Sequence, residues 1–268
     1  MTTISTLFPA PGDGFMFVIL FFTVLGIIGL SEFLRIRFNW SPESTRKLVH
    51  VLVGFTVSCS PFLFAGITAP LILAILFILL NGAALKKASF SGMHGTDRIS
   101  YGTVFFPLSY LLLVLAAWSR PFTLMLGLLM MTFADTAGSI VGQAIRQPKK
   151  FTLWKDVKTL EGSGAVFGTG FLITLIMASA FRSGLAESAG ELLLFALVMA
   201  SVVTLAEAVS NRGSDNLSVP LLTALTADLF IANRALGQLT PWLIWIVLSI
   251  VLVLASVRLK ALSPNGGV

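Results

Sequence analysis

The chain is dominated by apolar runs long enough to cross a lipid bilayer. A bilayer core takes about 17 to 25 residues of apolar helix, and runs of this kind recur between polar segments along the 268 residues. Only 11% of the residues are charged, whereas a water-soluble globule needs about 25% to cover its surface. The sequence therefore predicts an all-α, polytopic integral membrane protein that forms one domain over residues 1–268.

Hydropathy and helix-breaking residues predict nine membrane-spanning helices. We expect them at 15–34, 48–64, 66–81, 101–118, 121–142, 164–181, 191–209, 217–232 and 241–258. With the N-terminus outside and the C-terminus cytoplasmic, all Lys and Arg except Arg120, Arg182 and Arg234 lie on the inner side, as the positive-inside rule requires. This topology fits a bacterial inner membrane or an equivalent membrane. The net charge of +6 belongs to those inner loops, so we expect no nucleic-acid partner.

Four carboxylates lie in or at the ends of the apolar spans, namely Glu32, Asp135, Glu207 and Asp228. A carboxylate near mid-bilayer costs about 2.5 to 3.5 kcal/mol on insertion scales, so each needs a partner, a cavity or a function. Arg35 follows Glu32 by three residues, which predicts an ion pair on one helix. For Asp228, packing against a partner and a role in a cavity both remain open.

Asp135 carries the strongest functional signal of the four. In FADTAGSIVG, a helix puts Asp135 on one stripe with Ser139. The small residues Ala134, Gly138 and Gly142 form a second stripe, where another helix can approach closely. Helix packing explains the small residues but not the carboxylate, so we interpret Asp135 as functional.

The following loop, QAIRQPKKFTLWKDVKTLEGSG, gathers cations next to carboxylates. Five cations precede Glu161 within 13 residues: Arg146, Lys149, Lys150, Lys155 and Lys158. Such a loop either surrounds a polyphosphate and its divalent metal or rests on anionic lipid head groups. No P-loop motif GxxxxGK[ST] occurs in the sequence, so a nucleotide would be held by another scheme.

The helix after this loop starts with Gly162, Ser163 and Gly164. Backbone N–H groups at a helix start can bind an anion. Gly164 and Gly168 also form a GxxxG pair, which favours close helix packing. Both explanations remain open at this point.

Two further polar segments face the same inner side. STRKLVHVLVG places Arg46 and His50 one helical turn apart, and His50 can also be an interfacial histidine with a hydrogen bond. EAVSNRGSDNLSVP contains Glu207, Asp215 and Asn216, and capping of the next helix accounts for only one of the last two. Carboxylates and amides that converge from three segments are suited to Mg²⁺ coordination.

Five segments resemble, in order, the motifs of the membrane-bound polyprenol kinase family: RKLVH (46–50), SYGTVFFPLSY (100–110), ADTAGSIVG (134–142), KTLEGSGAVF (158–167) and EAVSNRGSDNLSVP (207–220). That family includes dolichol kinase and phytol kinase, which are CTP-dependent and related to the phosphatidate cytidylyltransferases. The resemblance covers residues 40–225, which we take as the catalytic region. The segment QAIRQPKK departs from the Gly-rich basic segment usual in the family.

The resemblance implies transfer of the γ-phosphoryl group of CTP to a membrane isoprenoid alcohol of the phytol, farnesol, geranylgeraniol or dolichol type. It implies a Mg²⁺-dependent site that faces the cytoplasm. The implied catalytic residues are Asp135, Lys158 and Glu161, with Asp135 as a metal ligand or as the base towards the alcohol. The implied metal ligands are Asp135, Glu161 and Asp215. The residues implied in binding phosphate, nucleotide or alcohol are Arg46, Lys47, His50, Lys158, Ser163, Glu207 and Asn216.

Two alternatives to a kinase remain. A cytidylyltransferase would make a CDP-lipid, but its His-Gly-Gly and Asp-Arg-x-Asp motif has only a partial counterpart in GMHGTDR (92–98). A membrane carrier would concentrate polar groups at mid-bilayer in paired halves, whereas this chain has charge-rich inner loops. The sequence does not determine the chain length of the alcohol or the oligomeric state.

Overall fold

The computed structural model describes residues 12–87, 100–152, 156–181 and 188–258. GMHGTDR, Lys155 and Arg182 lie outside these described residues. The helices are α1 (Asp13–Phe38), α2 (Pro42–Ser58), α3 (Ser60–Leu63), α4 (Thr68–Lys87), α5 (Gly102–Ala117), α6 (Pro121–Leu129), a π-helical segment (Met130–Ala134), α7 (Asp135–Ala144), α8 (Leu160–Phe181), α9 (Ala189–Val209), α10 (Asp215–Ala235) and α11 (Thr240–Arg258). The strands are β1 (Lys150–Thr152) and β2 (Val157–Thr159).

The predicted all-α membrane fold is confirmed. When α3 is counted with α2, and α6 through α7 as one continuous rod, the described residues form about nine helical rods, one for each predicted span. Within the described part of the chain, six helices are long and apolar enough to cross a membrane by their length and composition. The orientation of the rods relative to the cytoplasm stays a prediction.

The second rod begins earlier than hydropathy predicted. The Ser41 hydroxyl accepts the backbone N–H of Ser44 at 3.0 Å, and Pro42 occupies the first helical turn. A serine cap followed by proline is a strong helix start, but apolar periodicity does not detect polar first turns. Arg46 and His50 therefore lie inside α2, one turn apart on a rigid helix.

The continuous rod α6 to α7 lies at the centre of the bundle. Every α6 residue from Phe122 to Leu129 is buried, and Phe195 and Met199 of α9 pack in the same core. The 18-residue apolar window of α1 is only 17% buried. A helix that is apolar all round needs protein or lipid on every side, so α1 has the composition of a lipid-facing helix at the bundle edge.

Close contact between α7 and α8 confirms the predicted small-residue stripe. A Cβ atom added to Gly138 would lie 2.5 Å from Val166 Cγ2, and one added to Gly162 would lie 2.8 Å from the Gly138 carbonyl oxygen. By contrast, a Cβ at Gly164 or Gly168 would meet no described atom within 4 Å. In the described part of the chain, no other helix therefore packs closely against these two glycines, and the GxxxG explanation for them is wrong.

A two-stranded hairpin between α7 and α8 was not predicted. Strand β1 pairs antiparallel with β2, with Phe151 opposite Lys158, and the Leu160 N–H donates to the Lys149 carbonyl at 2.9 Å. Phe151 is buried and anchors the hairpin against the bundle. Three-residue strands are too short to show an alternating pattern in a basic loop, which is why the sequence did not reveal them.

Two of the four intramembrane carboxylates are ion-paired away from the site described below. Arg35 Nε donates to Glu32 Oε2 at 2.9 Å, which confirms the predicted pair. Asp228 accepts the Thr123 hydroxyl at 2.8 Å and lies 3.0 Å from Arg120 Nη2. Of the two explanations for Asp228, the structure therefore supports packing against a partner.

Candidate active site

Lys158 on β2 contacts two carboxylates, one from α9 and one from α10. Its Nζ donates to Glu207 Oε1 at 2.5 Å, lies 3.8 Å from Asp215 Oδ2, and is 3.5 Å from the Ser210 hydroxyl. Burial opposes the charge of Lys158, but the attraction of Glu207 and Asp215 outweighs it and raises the pKa of the ammonium above its usual value. Lys158 is therefore a half-buried cation that keeps its charge at physiological pH.

Asp135 faces the same cluster from the central rod. It is half-buried and lies within electrostatic reach of Asp215, Lys158, Glu207 and Arg46. The π-helical segment ends directly before it, and such segments occur frequently at functional sites because they shift the side chains that follow. We call this group the charged cluster. It consists of three carboxylates, Asp135, Glu207 and Asp215, and two cations, Lys158 and Arg46.

Helix α2 supplies the basic side of the charged cluster. Arg46 makes a two-point contact with Glu43, at 2.7 and 3.0 Å. Lys47 Nζ donates to Gln143 Oε1 of α7 at 3.1 Å. Lys47 Nζ also lies 3.8 Å from Glu43 Oε1, so the half-buried Glu43 carboxylate is the partner for which a polyphosphate would have to compete.

His50 connects α2 to the π-helical segment. Its Nε2 is 3.1 Å from the Met131 carbonyl oxygen, and its ring meets the edge of Phe106 with centroids 5.5 Å apart. The prediction that His50 makes a hydrogen bond is thus confirmed. The same residue also lines the cavity described below, so its contact with Met131 orients it towards the site.

A strained turn before α10 places Asp215 and Asn216. Arg212 and Gly213 have φ values of 53° and 86°, in the left-handed region that favours glycine. A Cβ on Gly213 would lie 2.6 Å from the Gly102 nitrogen, and the Tyr101 N–H donates to the Arg212 carbonyl at 2.9 Å. Only glycine allows this approach between the turn and the start of α5.

An apolar cavity opens beside the charged cluster. It lies between α1, α2, α4 and α5. Its polar end carries Arg46, His50, Thr103 and Asn216, and the rest of its wall is mostly aliphatic and aromatic. Arg46 and Asn216 flank both the cavity and the cluster, so the two features form one continuous site.

Two buried polar atoms at that end have no hydrogen-bond partner among the described residues: the Asn216 Oδ1 and the Thr103 hydroxyl. The Asn216 amide nitrogen is occupied by the Gly213 carbonyl at 3.3 Å, and the Thr103 carbonyl accepts Asn81 at 2.7 Å. An unsatisfied buried polar atom costs about 1 to 3 kcal/mol. Each of the two atoms is therefore suited to a ligand hydroxyl, which can donate to the Asn216 oxygen or accept from the Thr103 hydroxyl.

The structure brings together most of the predicted site residues: Arg46, Lys47, His50, Asp135, Lys158, Glu207, Asp215 and Asn216. Both Glu161 oxygens accept the Lys149 N–H, at 3.0 and 3.2 Å, and the predicted metal role of Glu161 stays a prediction. The Ser163 hydroxyl is buried and, in the part of the chain described, has no partner.

Several residues of the site were missed in the sequence. Asn81 and Thr103 border its polar end, and Tyr110 lies deep in the cavity. Asn81 has the same signal as the carboxylates, a polar side chain at the end of an apolar span, and could have been found by it. Tyr110 gave no signal, because a tyrosine in an apolar helix is typical of any core.

Comparison with known proteins gives the family of this membrane protein. A phytol kinase of Synechocystis sp. is 31% identical over 216 residues, which cover 76% of this chain and 87% of the relative. A probable chloroplastic phytol kinase of Triticum aestivum is 29% identical over 211 residues, 71% and 68% of the two chains. Phytol kinase 1 of Arabidopsis thaliana, chloroplastic, is 28% identical over 203 residues, 69% and 66%.

The chain belongs to the phytol kinase family. This confirms the resemblance drawn from the five segments, while the relation to cytidylyltransferases stays a prediction. No family model and no solved structure matches the chain.

Proposed function

We propose that this protein is a membrane-bound kinase that transfers the γ-phosphoryl group of CTP to the hydroxyl of a phytol-type isoprenoid alcohol. The observation that carries the proposal is the apolar cavity whose polar end, with two unpartnered polar atoms, adjoins the charged cluster. The kinase activity and the phytol-type alcohol are supported by the names of the relatives. The choice of CTP is supported by the family resemblance of the sequence.

The alcohol fits the cavity by chemistry. Its isoprenoid chain is apolar and branched, like the wall formed by Val49, Val53, Phe77 and Phe106. Moving such a chain from lipid into protein gains little hydrophobic free energy, so contact with a shaped wall must select it. The hydroxyl then lies at the polar end, beside Asn216.

The nucleotide fits the charged cluster. Lys158 and Arg46 supply positive charge for its phosphates, and Asp135 and Asp215 supply two carboxylates for Mg²⁺. The described residues contain no group of three His, Cys, Asp or Glu side chains able to hold a metal ion. Mg²⁺ usually binds one or two carboxylates together with substrate phosphates, so two carboxylates suit a metal that arrives with the nucleotide.

The reaction requires positioning and charge neutralisation more than covalent chemistry. The alcohol oxygen attacks the γ-phosphorus, a new O–P bond forms, and the bond from the γ-phosphorus to the β,γ-bridging oxygen breaks to release CDP. Asp135 accepts the hydroxyl proton or binds the metal. Lys158 stabilises the charge on the transferred group, and bound Mg²⁺ would add to that neutralisation. On the predicted topology this occurs at the cytoplasmic face.

Product analysis tests the proposal. Purified protein with Mg²⁺, CTP and phytol should yield phytyl phosphate and CDP in equal amounts, and Asp135→Asn, which keeps the shape of the side chain, should lose on the order of 10²-fold or more of the rate. Omission of Mg²⁺ should abolish turnover.

Other outcomes would each change a different part of the proposal. Release of pyrophosphate with a CDP-lipid would make it a cytidylyltransferase, and no turnover with any nucleoside triphosphate would favour a carrier. Full activity with ATP but not CTP would keep the kinase and overturn the nucleotide. Wild-type activity in Asp135→Asn would remove Asp135 from the mechanism.

A further inference from the structure

The cavity has a defined deep end. Tyr110 on α5, Leu73 on α4 and Val57 on α2 all line the cavity and are at most 4% exposed. Each lies about two helical turns from the residues at the polar end of its own helix. Tyr110 is the largest of the three and is 2% exposed.

The depth of the cavity follows from helix geometry. Seven residues separate Thr103 from Tyr110, and His50 from Val57, which at 1.5 Å per residue gives about 10 Å. Eight residues separate Asn81 from Leu73, which gives about 12 Å. Four single bonds at tetrahedral angles span about 5 Å, so an extended isoprenoid chain reaches the deep end after roughly two isoprene units.

We propose that Tyr110 forms the floor of the alcohol cavity and limits the enclosed part of the chain to the first two isoprene units. The inference rests on the proposed function and adds the residue that ends the enclosed part of the chain. Beyond the second unit, a longer chain turns at Tyr110, passes between the helices and stays in lipid both before and after binding. The remaining chain then has no differential interaction with the protein, so alcohols longer than ten carbons compete nearly equally.

Kinetics with alcohols of increasing length test the floor. Geraniol, farnesol and geranylgeraniol are presented in mixed micelles, with KM expressed as mole fraction so that partitioning into the micelle cancels. The wild-type protein should give three KM values within about twofold of one another. Tyr110→Ala extends the cavity, so KM for geranylgeraniol should fall relative to geraniol by roughly fivefold or more, through the added packing contacts.

Three further variants keep the result specific. Tyr110→Phe retains the ring and should behave like the wild type. Phe230→Ala removes a buried aromatic ring that does not line the cavity, and should alter stability without altering the KM ratio. Where Tyr110→Ala does not fold, Leu73→Ala deepens the opposite wall and should shift the ratio in the same direction.

If the ratio of KM for geranylgeraniol to KM for geraniol is unchanged in both Tyr110→Ala and Leu73→Ala, Tyr110 does not form the floor. A steep dependence of KM on chain length in the wild type would also overturn the proposal. A wild-type protein that phosphorylates none of the three alcohols would instead overturn the proposed function. The floor is then tested by equilibrium binding of tritiated geraniol and geranylgeraniol. Equal affinities in the wild type and tighter binding of geranylgeraniol to Tyr110→Ala support it, and no change in the ratio refutes it.

Discussion

Lys158 shows how one side chain can combine a structural and a chemical role. It lies between Glu207 and Asp215, so its ammonium neutralises two carboxylates that the bundle brings together. Because the pKa of Lys158 is raised, the stabilisation is present at neutral pH and is lost only as the pH rises through that raised pKa. Under the proposed function, a polyphosphate would offer the same cation a further partner.

We expect Lys158→Ala to lower kcat and kcat/KM together, by on the order of 10²-fold, because it removes charge stabilisation made in the transition state. Lys149→Ala is the matched control, since the contact of Lys149 with Glu161 uses its backbone N–H and survives the substitution. Both variants are assayed in neutral detergent with saturating alcohol and varied CTP. Equal effects in the two variants would mean that the basic loop serves as a lipid-surface patch.

The pairing of Lys158 with Glu207 could not be predicted from the sequence. The two residues are 49 positions apart, and their contact depends on the short hairpin that the sequence did not reveal. The helical rods of the described residues, in contrast, follow from apolar runs and helix-breaking residues, since lipid leaves a spanning backbone few other solutions. The contact of Glu161 with the Lys149 N–H could not be predicted either, because it depends on the same hairpin.

At the scale of elements, the turn at residues 210–214 determines where α10 begins. Gly213 packs against Gly102, and Ser210 bonds back to the Glu207 carbonyl at 2.7 Å. The turn therefore links the end of α9 to the starts of α5 and α10. Glu207, Asp215 and Asn216 are held in one frame because this turn cannot relax.

We expect Gly213→Ala to destabilise the protein by about 1 to 3 kcal/mol, because it adds both a positive φ and a steric clash. Gly237→Ala separates the two causes, since Gly237 also has a positive φ of 68° but a Cβ there meets no described atom within 4 Å. Thermal unfolding in detergent measures both variants. Equal melting temperatures would show that the contact with Gly102 does not constrain the turn.

At the scale of the whole molecule, the fold keeps an apolar cavity apart from the charged cluster except at one end, where the two adjoin. The bundle interior between α1, α2, α4 and α5 is apolar, and the hairpin and the turn bring charges to one end of it. The ion pairs of Arg120 with Asp228 and of Arg234 with Glu191 lie away from it. A lipid alcohol and a polyphosphate can thus meet without either leaving its preferred solvent.

Photoaffinity labelling tests directly whether the cavity and the charged cluster form one active site. A phytol analogue with a diazirine on the second isoprene unit is irradiated with the purified protein, and the labelled peptides are identified by mass spectrometry. We predict labels on cavity residues of α2 and α5, such as Val53 and Phe106, that unlabelled phytol displaces. Labels confined to the outer surface of α8 or α11, or labels that phytol does not displace, would contradict the account.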